Sequence, residues 1–260
     1  MAYRSPFFVS HHALRTAGNA AVTVTNEAAG FPKYRLLDSR HDALFRFNTS
    51  AAGHTIVVDR GAGSLLSINR AVIPSGHNFS GASVVIESDD NAGFASATTM
   101  FTGTIPAGLF DQVLTASAER YMRLRVTSTG QWELSEFILS VTRTPTVGPT
   151  PKYTDEQFPT YSETVLRSGN AYRLQLGDDR QRFAVEWSAV PVAEVVSLFD
   201  LVWTESGQGI YPVWYGGADS TLAILPVLLT DQIERRQSSP VPLTSGLYFD
   251  VRVSMLEQLS

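Results

Sequence analysis

Apolar and polar residues alternate along most of the first 143 positions, in runs too short for helices. In Arg120-Tyr121-Met122-Arg123-Leu124-Arg125-Val126-Thr127, the residues Met122, Leu124 and Val126 fall on one side, and Tyr121, Arg123 and Arg125 on the other. A period of two marks a strand buried on one face. Ala21-Val22-Thr23-Val24-Thr25, Leu44-Phe45-Arg46-Phe47, Thr55-Ile56-Val57-Val58-Asp59-Arg60 and Ala82-Ser83-Val84-Val85-Ile86-Glu87-Ser88 read in the same way, and residues 65–73 and 132–141 are further apolar-rich strands. Turn residues separate them: Asn48 to Gly53, Gly61-Ala62-Gly63, Pro74-Ser75-Gly76, Asp89-Asp90-Asn91-Ala92-Gly93 and Ser128-Thr129-Gly130. Many short strands with Gly, Pro and Asn turns predict a β-sandwich or jelly roll.

The pattern changes at Arg143-Thr144-Pro145-Thr146-Val147-Gly148-Pro149-Thr150-Pro151, whose prolines and threonines predict a stiff, extended linker. Beyond it, residues 171–176 and 181–187 alternate as strands. Val192, Val195, Val196, Phe199 and Val202 instead follow the three-and-four spacing of an amphipathic helix, with Pro191 at its start. Further strands are expected at residues 210–215, 223–229 and 248–255. The chain therefore reads as mainly β: an N-terminal arm (1–19), a β-sandwich (20–143), a linker (144–151) and a smaller α+β domain with one main helix (152–260).

Composition narrows the chemistry. The chain of 260 residues has no cysteine, which excludes disulfide scaffolds, Cys-ligated zinc and thiol nucleophiles. A net charge of −5 and a charged fraction of 17% argue against nucleic-acid binding, which needs clustered Lys and Arg. The most apolar stretch, 222–229, is interrupted by Pro226 and falls far short of the ~20 residues of a membrane helix. No signal peptide is expected, so synthesis is expected in a cytoplasm.

Catalysis finds no support. The doublets Asp89-Asp90 and Asp178-Asp179 sit in turns, whereas paired carboxylates must face each other across a substrate. No Gly-x-Ser-x-Gly elbow or Gly-rich phosphate loop is present. His11 and His12 are adjacent and point to opposite sides of an extended chain. Asp38 and Asp42, with His41 between them, are the nearest approach to an oxygen-donor metal set, but they lack the spacing of a calcium loop. No catalytic residue, metal or cofactor is expected.

Several segments in order resemble the discoidin or coagulation-factor C-type domain, a galactose-binding-like jelly roll. They are Leu36-Leu37-Asp38-Ser39-Arg40-His41-Asp42, Ile56-Val57-Val58-Asp59-Arg60-Gly61, residues 83–90, Glu119-Arg120-Tyr121-Met122-Arg123-Leu124-Arg125-Val126 and Trp132-Glu133-Leu134-Ser135-Glu136-Phe137. The resemblance spans roughly residues 20–142. It departs from the family where Leu44-Phe45 replaces a tryptophan and where the end-to-end disulfide is missing. Ile73-Pro74-Ser75-Gly76-His77-Asn78-Phe79-Ser80-Gly81-Ala82, with the strand to Asp90, also resembles minor tail or tail-tip proteins of long-tailed bacteriophages.

Two functional expectations follow from these likenesses. In the first, the protein is a structural virion component, located in the tail, joining other tail proteins as a homo-oligomer or ring. Phe7, Phe8, Tyr211, Trp214 and Tyr215 are the candidate intersubunit residues, since a terminal aromatic arm and an aromatic, proline-broken edge suit an interface. In the alternative, the protein is a lectin-like module for a host-surface or environmental glycan. Its candidate residues are His77, Asn78, Phe79, Asp89, Asp90 and Asn91, with Phe79 as an apolar platform.

Overall fold

The structure, a computed structural model, describes residues 7–9, 12–38, 43–49, 51–63, 66–148, 153–158, 161–165, 171–175, 180–207, 213–216, 225–230, 233–237 and 247–257. The fold is mainly β. It divides into two compact units: residues 11–142, and residues 143–259 together with residues 1–10.

A first strand, β1 (Phe7–Val9), belongs to the second of these units. The sandwich unit begins at helix α1 (Ala13–Ala17) and continues through β2 (Val22–Val24), β3 (Phe45–Arg46), β4 (His54–Asp59), β5 (Ile68–Ile73), β6 (Ser83–Asp89), β7 (Thr98–Thr104), β8 (Phe110–Ser117), β9 (Tyr121–Val126), β10 (Glu133–Leu134) and β11 (Ile138–Ser140). One sheet runs β2-β4-β9-β6-β7, a second β11-β5-β8, and β3 pairs with β10. The alternation read in β9 is realised. Met122, Leu124 and Val126 are fully buried, and their partners Ile56, Val58, Val84 and Ile86 face the same core. Phe45, Phe47, Phe79, Phe110, Phe137 and Leu139 complete that core between the sheets. On the outer face of the same strand, Arg123 and Arg125 both bind the Glu87 carboxylate, at 2.6 and 2.9 Å. Burial alone would raise the Glu87 pKa, but hydrogen bonds from the two guanidiniums bring it below its ordinary value.

The remaining strands are β12 (Thr142–Arg143), β13 (Tyr153–Phe158), β14 (Tyr161–Val165), β15 (Ala171–Gln175), β16 (Arg180–Pro191), β17 (Val213–Gly216), β18 (Leu225–Leu229), β19 (Glu234–Gln237) and β20 (Tyr248–Glu257). In the second unit β1, β17, β18, β20, β16 and β13 are neighbours in that order, and β19 also pairs with β20. One helix, α2, packs on this sheet. It consists of Val192–Glu194, a π-helical stretch Val195–Asp200, and Leu201–Glu205. Val195, Leu198, Phe199 and Val202 enter a core with Val185, Trp187, Val190, Val251, Val253 and Met255.

Two expectations change here. The helix does not bury Val192 and Val196, which are exposed, and it buries Leu198 instead. The wider π turn rotates the apolar stripe away from the spacing of a regular α-helix. The N-terminal arm is not free: β1 pairs antiparallel with β17, setting Phe8 opposite Tyr215 and Val9 opposite Trp214.

Candidate functional site

The strand β6 separates the expected glycan residues. His77, Asn78 and Phe79 precede it and Asp90 and Asn91 follow it, so a seven-residue strand about 20 Å long puts them at opposite ends of the sandwich. They do not form one site. Phe79 is also fully buried, packed on Trp132 with ring centroids 5.5 Å apart. It is a core residue and offers no platform to a ligand. An aromatic next to a turn reads alike in sequence whether it points in or out.

The acidic turn after β6 is spent on local backbone. Asp89, buried, accepts from the Asn91 and Ser96 amides at 2.9 Å each. Asn91 Oδ1 accepts from the Gly93 amide at 2.8 Å, and Asp90 Oδ1 from the Arg120 amide at 3.2 Å. These are side-chain turns of the usual Asp and Asn kind. Nearby, Asp59 takes both its oxygens to Arg120, at 2.7 Å each. The hydrogen bonds from Arg120 hold its pKa down at about 2.

At the other end the side chains converge. Asn78 Oδ1 accepts from the Glu133 amide at 2.6 Å, and Asn78 Nδ2 donates to the Gln131 carbonyl at 2.9 Å. This clamp fixes β10, whose Glu133 stands opposite Arg46 of β3. Arg46 Nε lies 2.8 Å from Glu133 Oε1, and the pair is partly exposed, 30% and 20% at the side chains. The same guanidinium lies over the Phe31 ring, 3.9 Å from its centroid, and that of Arg35 lies 5.6 Å from it. Tyr34, half exposed, sits on the same 3-10 turn as Arg35. Among the described residues, Arg46 Nε is buried and completes no hydrogen bond, so its approach to Glu133 is an electrostatic contact. The cluster thus combines an apolar ring, fixed planar donors and a carboxylate acceptor.

His77 is half-buried beside this cluster, its Nδ1 accepting from the Phe79 amide at 3.1 Å. Burial lowers its pKa, opposed by the backbone of Gly108. Phe31, Arg46 and Glu133 were not anticipated. In the sequence Arg46 and Glu133 show only as outward positions on two very short strands far apart along the chain, and Phe31 only as an aromatic before a 3-10 turn.

Among the described residues no three His, Asp or Glu side chains converge as a metal set. His41, Asp42, His11, Tyr211 and Asp178-Asp179 lie outside the described residues, while Asp38 is half-buried. The buried Glu136 is met by Arg15 Nη2 at 3.0 Å and His12 Nε2 at 3.1 Å. Of the interface candidates, Phe8 is corrected. It is fully buried within its own chain, 6.0 Å from Trp187 and 6.4 Å from Phe199 by ring centroids. Phe7 is half-buried opposite Gly216, and Trp214 and Tyr215 lie on the strand that β1 pairs with.

Solved structures similar to this chain include chitosan-binding module 1 from a chitosanase/glucanase of Paenibacillus sp. IK-5, at 25% identity, covering 50% of this chain and 99% of the module with a TM-score of 0.42. CBM62 from Clostridium thermocellum Xyl5A is 17% identical, with coverage of 48% and 95% and a TM-score of 0.41. CpGH89CBM32-4 of Clostridium perfringens is 13% identical, with coverage of 49% and 99% and a TM-score of 0.38. These neighbours are carbohydrate-binding modules. No family model matches the chain, and no curated protein matches it.

Proposed function

We propose that the sandwich unit is a non-catalytic glycan-binding module whose ligand docks on Phe31, Arg46 and Glu133. The observation that carries this reading is the partly exposed Arg46–Glu133 ion pair, whose guanidinium lies over the half-buried Phe31 ring. Sugar hydroxyls both donate and accept, so a guanidinium beside a carboxylate serves them. The half-buried Phe31 ring offers apolar area to a sugar ring.

The test is calorimetric titration of the full chain with a panel of soluble oligosaccharides. Binding is expected, with Arg46→Ala weakening it about tenfold, or about 1.4 kcal/mol. Absence of binding to every sugar at millimolar concentration refutes the reading.

A second reading keeps the likeness of residues 73–90 to tail proteins as its observation. In it the module faces a host-surface glycan from the virion while the second unit joins other tail proteins or further copies of the chain. Failure of the full chain to co-sediment with phage tails would sink it.

A further inference from the structure

We infer that the glycan bound at this end carries carboxylates, and that a sugar acid is held by Arg46 and Arg35 around the Phe31 ring. The inference rests on the glycan-binding reading above and names its ligand class. Both guanidiniums lie within 6 Å of one ring centroid, at 3.9 and 5.6 Å. Each is pinned at one edge only. Arg46 faces Glu133 through Nε, an ion pair that completes no hydrogen bond, and Arg35 donates through Nη1 to the Leu44 carbonyl at 2.8 Å. The other nitrogens of Arg35 and the terminal nitrogens of Arg46 donate to no protein acceptor among the described residues.

The local charge supports an anion. At the Phe31 ring the two guanidiniums of Arg35 and Arg46 stand against the one carboxylate of Glu133 among the described residues. That is a positive excess on a chain whose total is −5. A neutral sugar would leave the excess unanswered. A carboxylate fits the planar fork of a guanidinium with two parallel hydrogen bonds, and arginine rather than lysine provides that fork. Glu133 competes for the same guanidinium, so its charge limits how tightly a ligand carboxylate is held.

The experiment uses the full chain and four probes: oligogalacturonate, oligomannuronate, and the carboxyl-reduced neutral form of each. Titrations are run at low and at physiological salt. At least one acidic probe is expected to bind about tenfold more tightly than its reduced form, and more weakly as salt rises. Arg46→Lys should lose most of that preference with its melting temperature retained. Glu133→Gln should bind the acidic probe about threefold more tightly, a gain that loss of a merely structural contact would not produce. Equal affinity for acidic and reduced probes, or a weaker Glu133→Gln complex, overturns the ligand class and leaves the glycan reading standing. No binding to any of the four probes overturns the ligand class, and the wider sugar panel then decides the glycan reading separately.

Discussion

Single residues decide which of the sequence-derived candidates can meet a ligand. Phe79 and Asn78 are neighbours, yet one fills the core and the other clamps a loop. Phe79→Ala should therefore cost about 3–5 kcal/mol of stability by leaving a cavity, while the molecules that remain folded bind as before. Chemical denaturation paired with titration checks this, and a stable variant with lost binding would restore Phe79 as a contact residue. Loop geometry adds a constraint at Gly130, whose φ is +156° and where a Cβ would come within 2.4 Å of the Trp132 indole. Only glycine lets that ring lie against Phe79.

Titrating groups with shifted pKa values, one buried and one partly exposed, give the residue scale its pH dependence. His12 caps α1, its Nδ1 accepting from the Arg15 amide at 3.4 Å, and its pKa is lowered mainly by burial. The unfolded chain takes up this proton below 6.5, where the folded chain resists it, so stability falls as the pH drops through that value. Asp59 acts in the same direction but lower. Its stabilisation is present above its ordinary 3.8 and is lost as the pH falls towards about 2. Melting temperature should decline in two stages on acidification. His12→Asn, which keeps an acceptor at the cap, should make the upper stage shallower, leaving the share that His77 contributes, and leave the lower stage unchanged. An unchanged slope between pH 6.5 and 5 in that variant would exclude His12 as its source.

At the scale of elements, what the sequence showed depended on how local the cause was. The strand β9 was legible because period two is written into consecutive residues, and its neighbours β4 and β6 carry the same pattern. The helix was legible in place but not in face, because a π turn leaves no mark in the spacing of valines. The fate of the arm was not legible. Phe7-Phe8-Val9 looks like a sticky end, and its partner β17 lies some two hundred residues away. The binding cluster was hidden for a similar reason. Two strands of two residues each, β3 and β10, bring Arg46 to Glu133, and neither carries enough alternation to announce its pairing. Asn78 was found because turn residues draw the eye, although its role is to hold Glu133 in place.

For the whole molecule, the two cores draw on the chain unequally. The sandwich core takes every buried residue from between Ala13 and Leu139, so it is complete within one continuous segment. The second core joins Phe8 to residues from 185 onward, and Phe8 stands against both Trp187 and Phe199. A fragment of residues 11–142 should therefore fold with a sharp transition of its own. A fragment of residues 143–260 should be less stable than the same unit in the full chain. The missing Phe8 accounts for about 3–5 kcal/mol, and the unpaired edge of β17 adds exposed backbone donors and acceptors. A synthetic peptide of residues 1–12 added in trans should raise the melting temperature of that fragment with concentration, as any ligand of the folded state does. The same peptide with Phe8→Ala should act much more weakly. If the fragment melts at the temperature of the intact unit and ignores the peptide, β1 is a passive edge strand and the arm is available to a neighbour after all.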